Sequence, residues 1–312
     1  NLNPWVGRIK EYLPEKILSA EKLISINQAL KQIHFPDSIN QLNQAKRRFA
    51  FEEIFFLQLG VFIQKLCWVE AEAKQFSLQN NDLKRLEQSL PYKLTDAQNR
   101  AVNEILEDLR SGKPMNRLLQ GDVGSGKTVV ARYAIEAVIK NGAQAAVMAP
   151  TSILAEQHFK TLSALMANAS SLNNEEMALL TGDTSTKERK LILEKLDSGI
   201  IKLIIGTHAL LEDPVVFNDL QLAVIDEQHR FGVQQRNKLR EKGVSPHLLV
   251  MTATPIPRSL AMTIYGDLDV SIIDEMPEGR KPIETRLIHP FDRQLAYDLI
   301  RDQIKRGFQA FI

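Results

Sequence analysis

The sequence predicts an α/β protein: a P-loop parallel sheet with helices on both faces, preceded by a helical region. Three observations predict it. The stretch Gly121-Asp122-Val123-Gly124-Ser125-Gly126-Lys127-Thr128 reads G-x-x-x-x-G-K-T and lies between a strand-like run, 117–120, and a helix-compatible run, 129–140. From Arg117 to Asp274 strand-like runs alternate with helical patterns, which implies parallel strands joined by helical crossovers. Just past each expected strand sits a polar or glycine-bearing cluster, and in open α/β sheets ligands bind at the carboxyl ends of the strands.

The expected strands are 117–120, 145–149, 177–180, 202–205, 222–225 and 247–251. Their trailing clusters are the phosphate loop, Pro150-Thr151, Thr181-Gly182, Gly206-Thr207-His208, Asp226-Glu227-Gln228-His229 and Thr252-Ala253-Thr254. Six such clusters on one edge of a sheet exceed what loop composition alone would give.

Length and composition set the bounds. A chain of 312 residues suggests about two domains, and an apolar share of 44% supports ordinary cores. The formal net charge is +1, so a nucleic-acid partner must be met by local patches rather than by a global basic field. A lone cysteine, Cys67, excludes an intramolecular disulfide and a cysteine metal cluster; its apolar surroundings make it core filler. No apolar stretch is long enough to span a bilayer and no signal peptide is evident, so a cytoplasmic protein with no membrane partner is expected. Asn1 in place of Met points to a fragment.

Residues 1–90 read as helical. Leu23, Ile26, Leu30 and Ile33 recur at helical spacing over 19–33. A longer helix is expected from near Ile39 to near Phe76, with an apolar band broad enough to bury it against something larger. It carries Lys46-Arg47-Arg48, which reads as a solvated face in preference to a DNA-phosphate contact.

The residue types of the phosphate loop dictate its chemistry. Gly121, Gly124 and Gly126 let the backbone turn sharply and aim its N–H groups at phosphate oxygens. Asp122, Val123 and Ser125 complete the loop, and the helix after it adds the positive end of its dipole. Lys127 would reach the β- and γ-phosphates of ATP, and the Thr128 hydroxyl would hold Mg²⁺. Upstream, Thr95 and Gln98 fit a capping box. Gln98 also suits recognition of the adenine edge, because an amide both donates and accepts; with a phosphate loop downstream, that role is the favoured one.

An apolar run, Leu222-Ala223-Val224-Ile225, delivers two acids to the sheet edge. Asp226 is expected to hold Mg²⁺, directly or in the second sphere, and Glu227 to polarise the attacking water. His229 lacks partners at zinc-ligand spacing and suits a coupling role between the ATP site and nearby loops. After Asp274, a stretch with two prolines and a glycine, 275–282, reads as a linker. Strand-like 284–289, helical 293–305 and strand-like 308–312 then open a second α/β domain. The expected organisation is a helical linker region over 1–90, an ATP-binding lobe over 91–276, and a linker with the start of a second lobe over 277–312.

These residues together resemble the superfamily 2 helicases, and within them the branched-DNA helicases of bacteria. Gly121 to Thr128 looks like motif I, Gln98 like the Q motif, and Ala149-Pro150-Thr151 with Glu156-Gln157-His158 like motif Ia. Gly206-Thr207-His208 is similar to a DNA-contacting segment of that family. The stretch beginning Asp226-Glu227-Gln228-His229 looks like motif II, and the one running from Met251 through Thr252-Ala253-Thr254 to Arg258 like motif III. Transcription-repair coupling factors share several of these strings but typically carry Glu at the place of Gln228 and Phe at that of Ser125. Residues 45–59 resemble a helix that links a junction-binding wedge domain to the motor.

The resemblance implies a RecA-like lobe and an ATP-dependent translocase on branched double-stranded DNA, acting as a monomer at stalled forks and Holliday junctions in recombination and repair. It implies catalytic work for Lys127, Asp226, Glu227, Gln228 and His229. Pro150, Thr151, Thr207, His208 and Arg258 would line the DNA path, and Thr252, Ala253 and Thr254 would couple nucleotide state to DNA. It also implies a wedge domain before Asn1 and second-lobe motifs after Ile312, so this chain alone is expected to bind nucleotide with little turnover. Two plainer expectations stand beside it. The Thr252–Thr254 hydroxyls would simply cap a strand-end turn, and Arg258 would be a surface charge. A P-loop regulatory ATPase that never touches nucleic acid is the remaining class.

Overall fold

The computed structural model describes residues 8–69, 72–167, 172–226, 238–239, 242–254, 268–277 and 285–311; of 64–69, 174 and 290 only the backbone. Two compact units form, Asn1–Pro277 and Glu278–Ile312. The first holds a seven-stranded sheet: β1 Asn116–Gly121, β2 Gln144–Met148, β3 Met177–Leu180, β4 Leu203–Gly206, β5 Leu220–Asp226, β6 His247–Thr252 and β7 Asp269–Ile273. The order is β3-β4-β2-β5-β6-β1-β7, and every pairing is parallel.

Alternation along each strand serves both faces. Leu119, Val147, Ile205, Val224 and Leu249 point into one core; Leu118, Ala146, Ile204, Ala223 and Leu248 point into the other. Helices α5 (Asp96–Arg110), α6 (Lys127–Lys140) and α7 (Ser152–Ala167) fill the first face. Helix α8 (Thr186–Asp197) covers the second. The burial of both faces is why these strands read as near-continuous apolar runs.

All six expected strands form, within two residues at each end. The seventh, β7, was not anticipated: it is an edge strand with Asp269 and Ile272 exposed, so its apolar signal is weak. Arg117 on β1 holds it from the side, donating to Ser271 at 2.9 Å and to Asp108 at 2.6 Å.

The N-terminal region departs from expectation in three ways. The helix expected over 19–33 is two helices, α1 (Glu15–Ala20) and α2 (Ile26–His34). Lys22 at φ 50° breaks the run, and Ser25 caps α2 by accepting from the Gln28 N–H. The long helix α3 ends at Val69, short of Phe76. Phe76 lies in an irregular segment, fully buried, with its N–H donating to Leu109 O at 2.8 Å. Third, α3 is not covered along its length. Its 31 residues span roughly 46 Å, more than the 9-residue α2 beside it can cover, and Ile54, Phe56, Leu57, Phe62 and Ile63 are about half exposed. Cys67's side chain lies outside the described residues.

Arg48 is a further correction. Lys46 and Arg47 are exposed as expected, but Arg48 is fully buried. It pairs with Glu52 at 2.6 Å and Glu11 at 2.7 Å. Glu11 in turn accepts from the Ile26 and Leu13 N–H groups, so one guanidinium pins the entry segment and the start of α2 to α3. Helix α4 (Asn80–Gln88) completes this region and is tied to α6 by Lys140 and Asp82.

In the second unit, α9 (Arg293–Lys305) forms where expected. The flanking stretches 285–289 and 308–311 are not strands. Leu287 and Phe311 are exposed, and among the described residues these strand-like patterns have no neighbouring strand to pair with. Of the expected linker, Glu275 is docked: its carboxylate accepts from Ala97 N at 3.0 Å. Among the described residues no helix is long and apolar enough to cross a membrane.

Candidate functional site

The phosphate loop leaves β1 at Gly121 and enters α6 at Lys127. Gly124 and Gly126 adopt φ 79° and 89°, a region only glycine enters without strain. At Gly126 a Cβ would fall on the side-chain nitrogen of Gln98, and at Gly121 on Ser125 Oγ and Ile273. The loop is therefore packed from behind, and its bends are fixed by its neighbours as well as by its glycines. Lys127 Nζ donates to Gly121 O at 2.8 Å and to Asp122 O at 3.0 Å, so the ammonium is held over the loop. The Asp122 carboxylate accepts from the Val123 N–H at 2.7 Å.

Gln98 lies behind this loop. It completes the capping box at the start of α5: Thr95 Oγ1 accepts from Gln98 N, and Gln98 Oε1 accepts from Thr95 N at 2.9 Å. Its Nε2 donates to Ser125 O at 2.7 Å, and the side chain is fully buried. The amide is thus engaged at both ends by protein.

Strand order places the next groups. Strand β6 separates β1 from β5, with Gln120 opposite Thr252 and Asp226 opposite Met251. Thr252 therefore lies between the phosphate loop and Asp226. Thr252 Oγ1 is 2.8 Å from Thr254 Oγ1 and accepts from Thr254 N, the strand-end cap that the bare sequence allows; Ala253 lies between them. Asp226 ends β5 nearly buried, and its Oδ2 is 2.6 Å from His158 Nε2 on α7. No local pattern signals that contact, since 68 positions separate the two residues. Glu227, Gln228, His229 and Arg258 lie outside the described residues.

The chemistry of the donors fits a magnesium nucleotide. Thr128 offers a hydroxyl at the start of α6 and Asp226 a carboxylate at the end of β5, both hard oxygen ligands. Among the described residues no group of three or more His, Cys, Asp or Glu forms a metal cage.

A second row of residues continues along the same edge. Strands β2 and β4 pair directly, and Ala149 N donates to Gly206 O at 2.8 Å. Pro150 and Thr151 after β2 thus stand beside Thr207 and His208 after β4. Thr151 caps α7 by accepting from Leu154 N; Thr207 caps the 3₁₀ turn His208–Leu211 by accepting from Ala209 N. Thr207 is buried and His208 exposed. The structure brings together all the described residues expected to serve nucleotide, coupling and DNA, on the carboxyl edge of one sheet.

A glycine-rich loop at a helix N-terminus, on the edge of an all-parallel sheet with a strand-end acid two strands away, defines a P-loop nucleotide-binding lobe of RecA-like fold. The DEAD/DEAH box helicase family matches residues 95–263, and the chain belongs to that family. Among curated relatives, ATP-dependent DNA helicase RecG of Synechocystis sp. is 48% identical over 98% of this chain and 37% of its own length. The protein of the same name from Streptococcus pneumoniae is 47% identical over 97% of this chain and 45% of its own. A solved structure of RecG bound to a three-way DNA junction superposes with a TM-score of 0.84 at 44% identity, covering 97% of this chain and 40% of that one. The chain therefore spans about two-fifths of the length of the relatives it matches. A more distant likeness, to Mss116p bound to single-stranded RNA, has a TM-score of 0.55 at 19% identity and concerns the fold alone.

Proposed function

We propose that this chain is the ATP-binding lobe of an ATP-driven translocase that unwinds branched double-stranded DNA in recombination and repair. The observation that carries this is the single sheet edge on which Lys127, Thr252, Asp226 and the Thr151–Thr207 pair of caps stand in that order. The likeness to RecG, including one structure bound to a three-way junction, supports the substrate class.

In this role the loop N–H groups and Lys127 bind the β- and γ-phosphates and oppose the charge that develops on transfer. Thr128 and Asp226 hold Mg²⁺, which neutralises phosphate charge when bound. Glu227 orients the attacking water, with Gln228 and His229 beside it. Gln98 supports the loop from behind and is the candidate for adenine recognition. Thr252 and Thr254 transmit nucleotide state toward Pro150, Thr151, Thr207, His208 and Arg258. Those contacts fall on phosphates, because a motor that moves along DNA must not read its sequence.

The relatives are more than twice as long as this chain. An arginine supplied from another element is worth on the order of 10³–10⁵ in rate in related phosphoryl-transfer enzymes. We expect the isolated chain to bind Mg-ATP and to turn it over slowly. We also assign the protein to the cytoplasm, where bacterial DNA lies, and to a monomeric state, which light scattering tests.

ATP turnover by the full-length protein, with a three-way junction, a linear duplex or RNA added, tests the function. Stimulation by the junction that Lys127→Ala abolishes is the expected result. Equal stimulation by plain duplex would favour a duplex translocase of the coupling-factor type, and stimulation by RNA alone would overturn the substrate class.

A further inference from the structure

The bond between His158 and Asp226 joins two parts of the site that are otherwise distant in sequence. Helix α7 starts at the Thr151 cap and runs back across the sheet. Ala155, His158, Leu162 and Met166 recur at three- and four-residue spacing on one face. Ala155, Leu162 and Met166 are buried in the core, so His158 is carried on the face that packs inward. Its side chain is 12% exposed, as is that of Asp226, and Nε2 lies 2.6 Å from Oδ2. A carboxylate offers about four acceptor sites, so this bond occupies one and leaves capacity for a cation.

We propose that His158 is a positioning residue: it fixes the Asp226 carboxylate in its magnesium-holding orientation and makes α7 a rigid strut between Thr151 and the metal. The inference rests on the ATP-site reading above. Three observations support it. The bond is short and nearly shielded from water, where a hydrogen bond to a charged oxygen is strong. Asp226 is the last residue of β5, so the strand ladder alone does not fix its side chain. And the seven residue steps from Thr151 to His158 span only about 10 Å of helix, short enough to move as one body. A DNA phosphate that displaced Thr151 would therefore be felt at the metal ligand.

The test uses this chain and a fluorescent ADP analogue, titrated with Mg²⁺ and again in excess chelator. His158→Ala should raise the Mg²⁺ concentration needed for half-maximal nucleotide binding by about 10- to 100-fold, the usual range for groups that orient a metal ligand. Binding in chelator should be unchanged, which a general loss of structure would not leave intact. His158→Gln places an amide donor near the Nε2 position, and should stay within about threefold of the parent protein. An Mg²⁺ midpoint in His158→Ala equal to the parent's would overturn the proposal while leaving the ATP site standing. So would equal losses with and without Mg²⁺, or no rescue by His158→Gln. Nucleotide binding by the parent protein that ignores Mg²⁺ would remove the magnesium role of Asp226 and this inference, whereas no nucleotide binding at all would remove the ATP-site reading itself.

Discussion

Gln98 Nε2 donates to the carbonyl oxygen of Ser125 at 2.7 Å while its Oε1 accepts from the Thr95 N–H at 2.9 Å. One buried amide thus joins the first turn of α5 to the inside of the phosphate loop. Gln98→Ala leaves both backbone groups unpaired, at about 1–3 kcal/mol for each buried group. Urea unfolding should show the loss. Competition between ATP and GTP decides the second role. Equal weakening of both nucleotides means loop support; selective loss of ATP means adenine recognition.

Gly126 and Gly142 share a backbone conformation, φ 89° and 85°, but not surroundings. A Cβ on Gly142 meets nothing within 4 Å, whereas one on Gly126 falls on Gln98. Gly142→Ala should cost about 1–2 kcal/mol, the left-handed penalty, and bind nucleotide normally. Gly126→Ala should carry the same left-handed penalty and also weaken nucleotide binding in the same titration, because the methyl group displaces the Gln98 amide from Ser125 O or shifts the loop itself.

His247 is fully buried at the start of β6. Its Nδ1 accepts from Met115 N at 3.0 Å, so the ring is neutral at that nitrogen and Nε2 donates to Lys74 O at 2.9 Å. Burial pushes its pKa down, against a smaller upward pull from the Lys74 carbonyl and Asp108. The sign follows: above the unfolded value of about 6.5 both states are neutral and stability is full. As pH falls below it, only the unfolded chain binds the proton. Stability then drops, by at most about 1.4 kcal/mol per pH unit, until the folded pKa is passed. Urea midpoints at pH 7.5 and 5.5 should separate, and the gap should narrow in His247→Gln.

Arg48→Met removes the buried cation between Glu11 and Glu52, at about 3 kcal/mol, the lower figure for breaking a buried pair because Glu11 is partly solvated. The loss should be local. Hydrogen exchange should show amides of residues 11–34 losing protection while β1 to β6 keep theirs. Burial raises the Glu11 pKa, but the Ile26 and Leu13 N–H groups and Arg48 together outweigh it and hold it below the ordinary glutamate value. The same contacts should therefore weaken as pH falls through that lowered value.

How much of this was legible follows from range. The phosphate loop, the capping box and six strands are local patterns, and a run such as Leu222-Ala223-Val224-Ile225 announces a doubly buried strand without help. Strand β7 was missed because an edge strand needs fewer apolar residues. Residues 285–289 and 308–311 had the pattern but, among the described residues, no partner strand. Lys46, Arg47 and Arg48 are the same in charge and adjacent in sequence, yet helical rotation sends only the third toward Glu11 and Glu52.

The sequence by itself determined the fold class, the phosphate-loop pattern and the family, because each rests on strand–loop–helix units and short motifs that are readable from local spacing. Tertiary structure alone decided which distant groups meet. It put Thr252 between the phosphate loop and Asp226, set Thr151 beside Thr207, gave Gln98 to Ser125 and gave His158 to Asp226. Those pairings depend on strand order and helix packing, which arise from burying both faces of one sheet and leave no trace in local spacing.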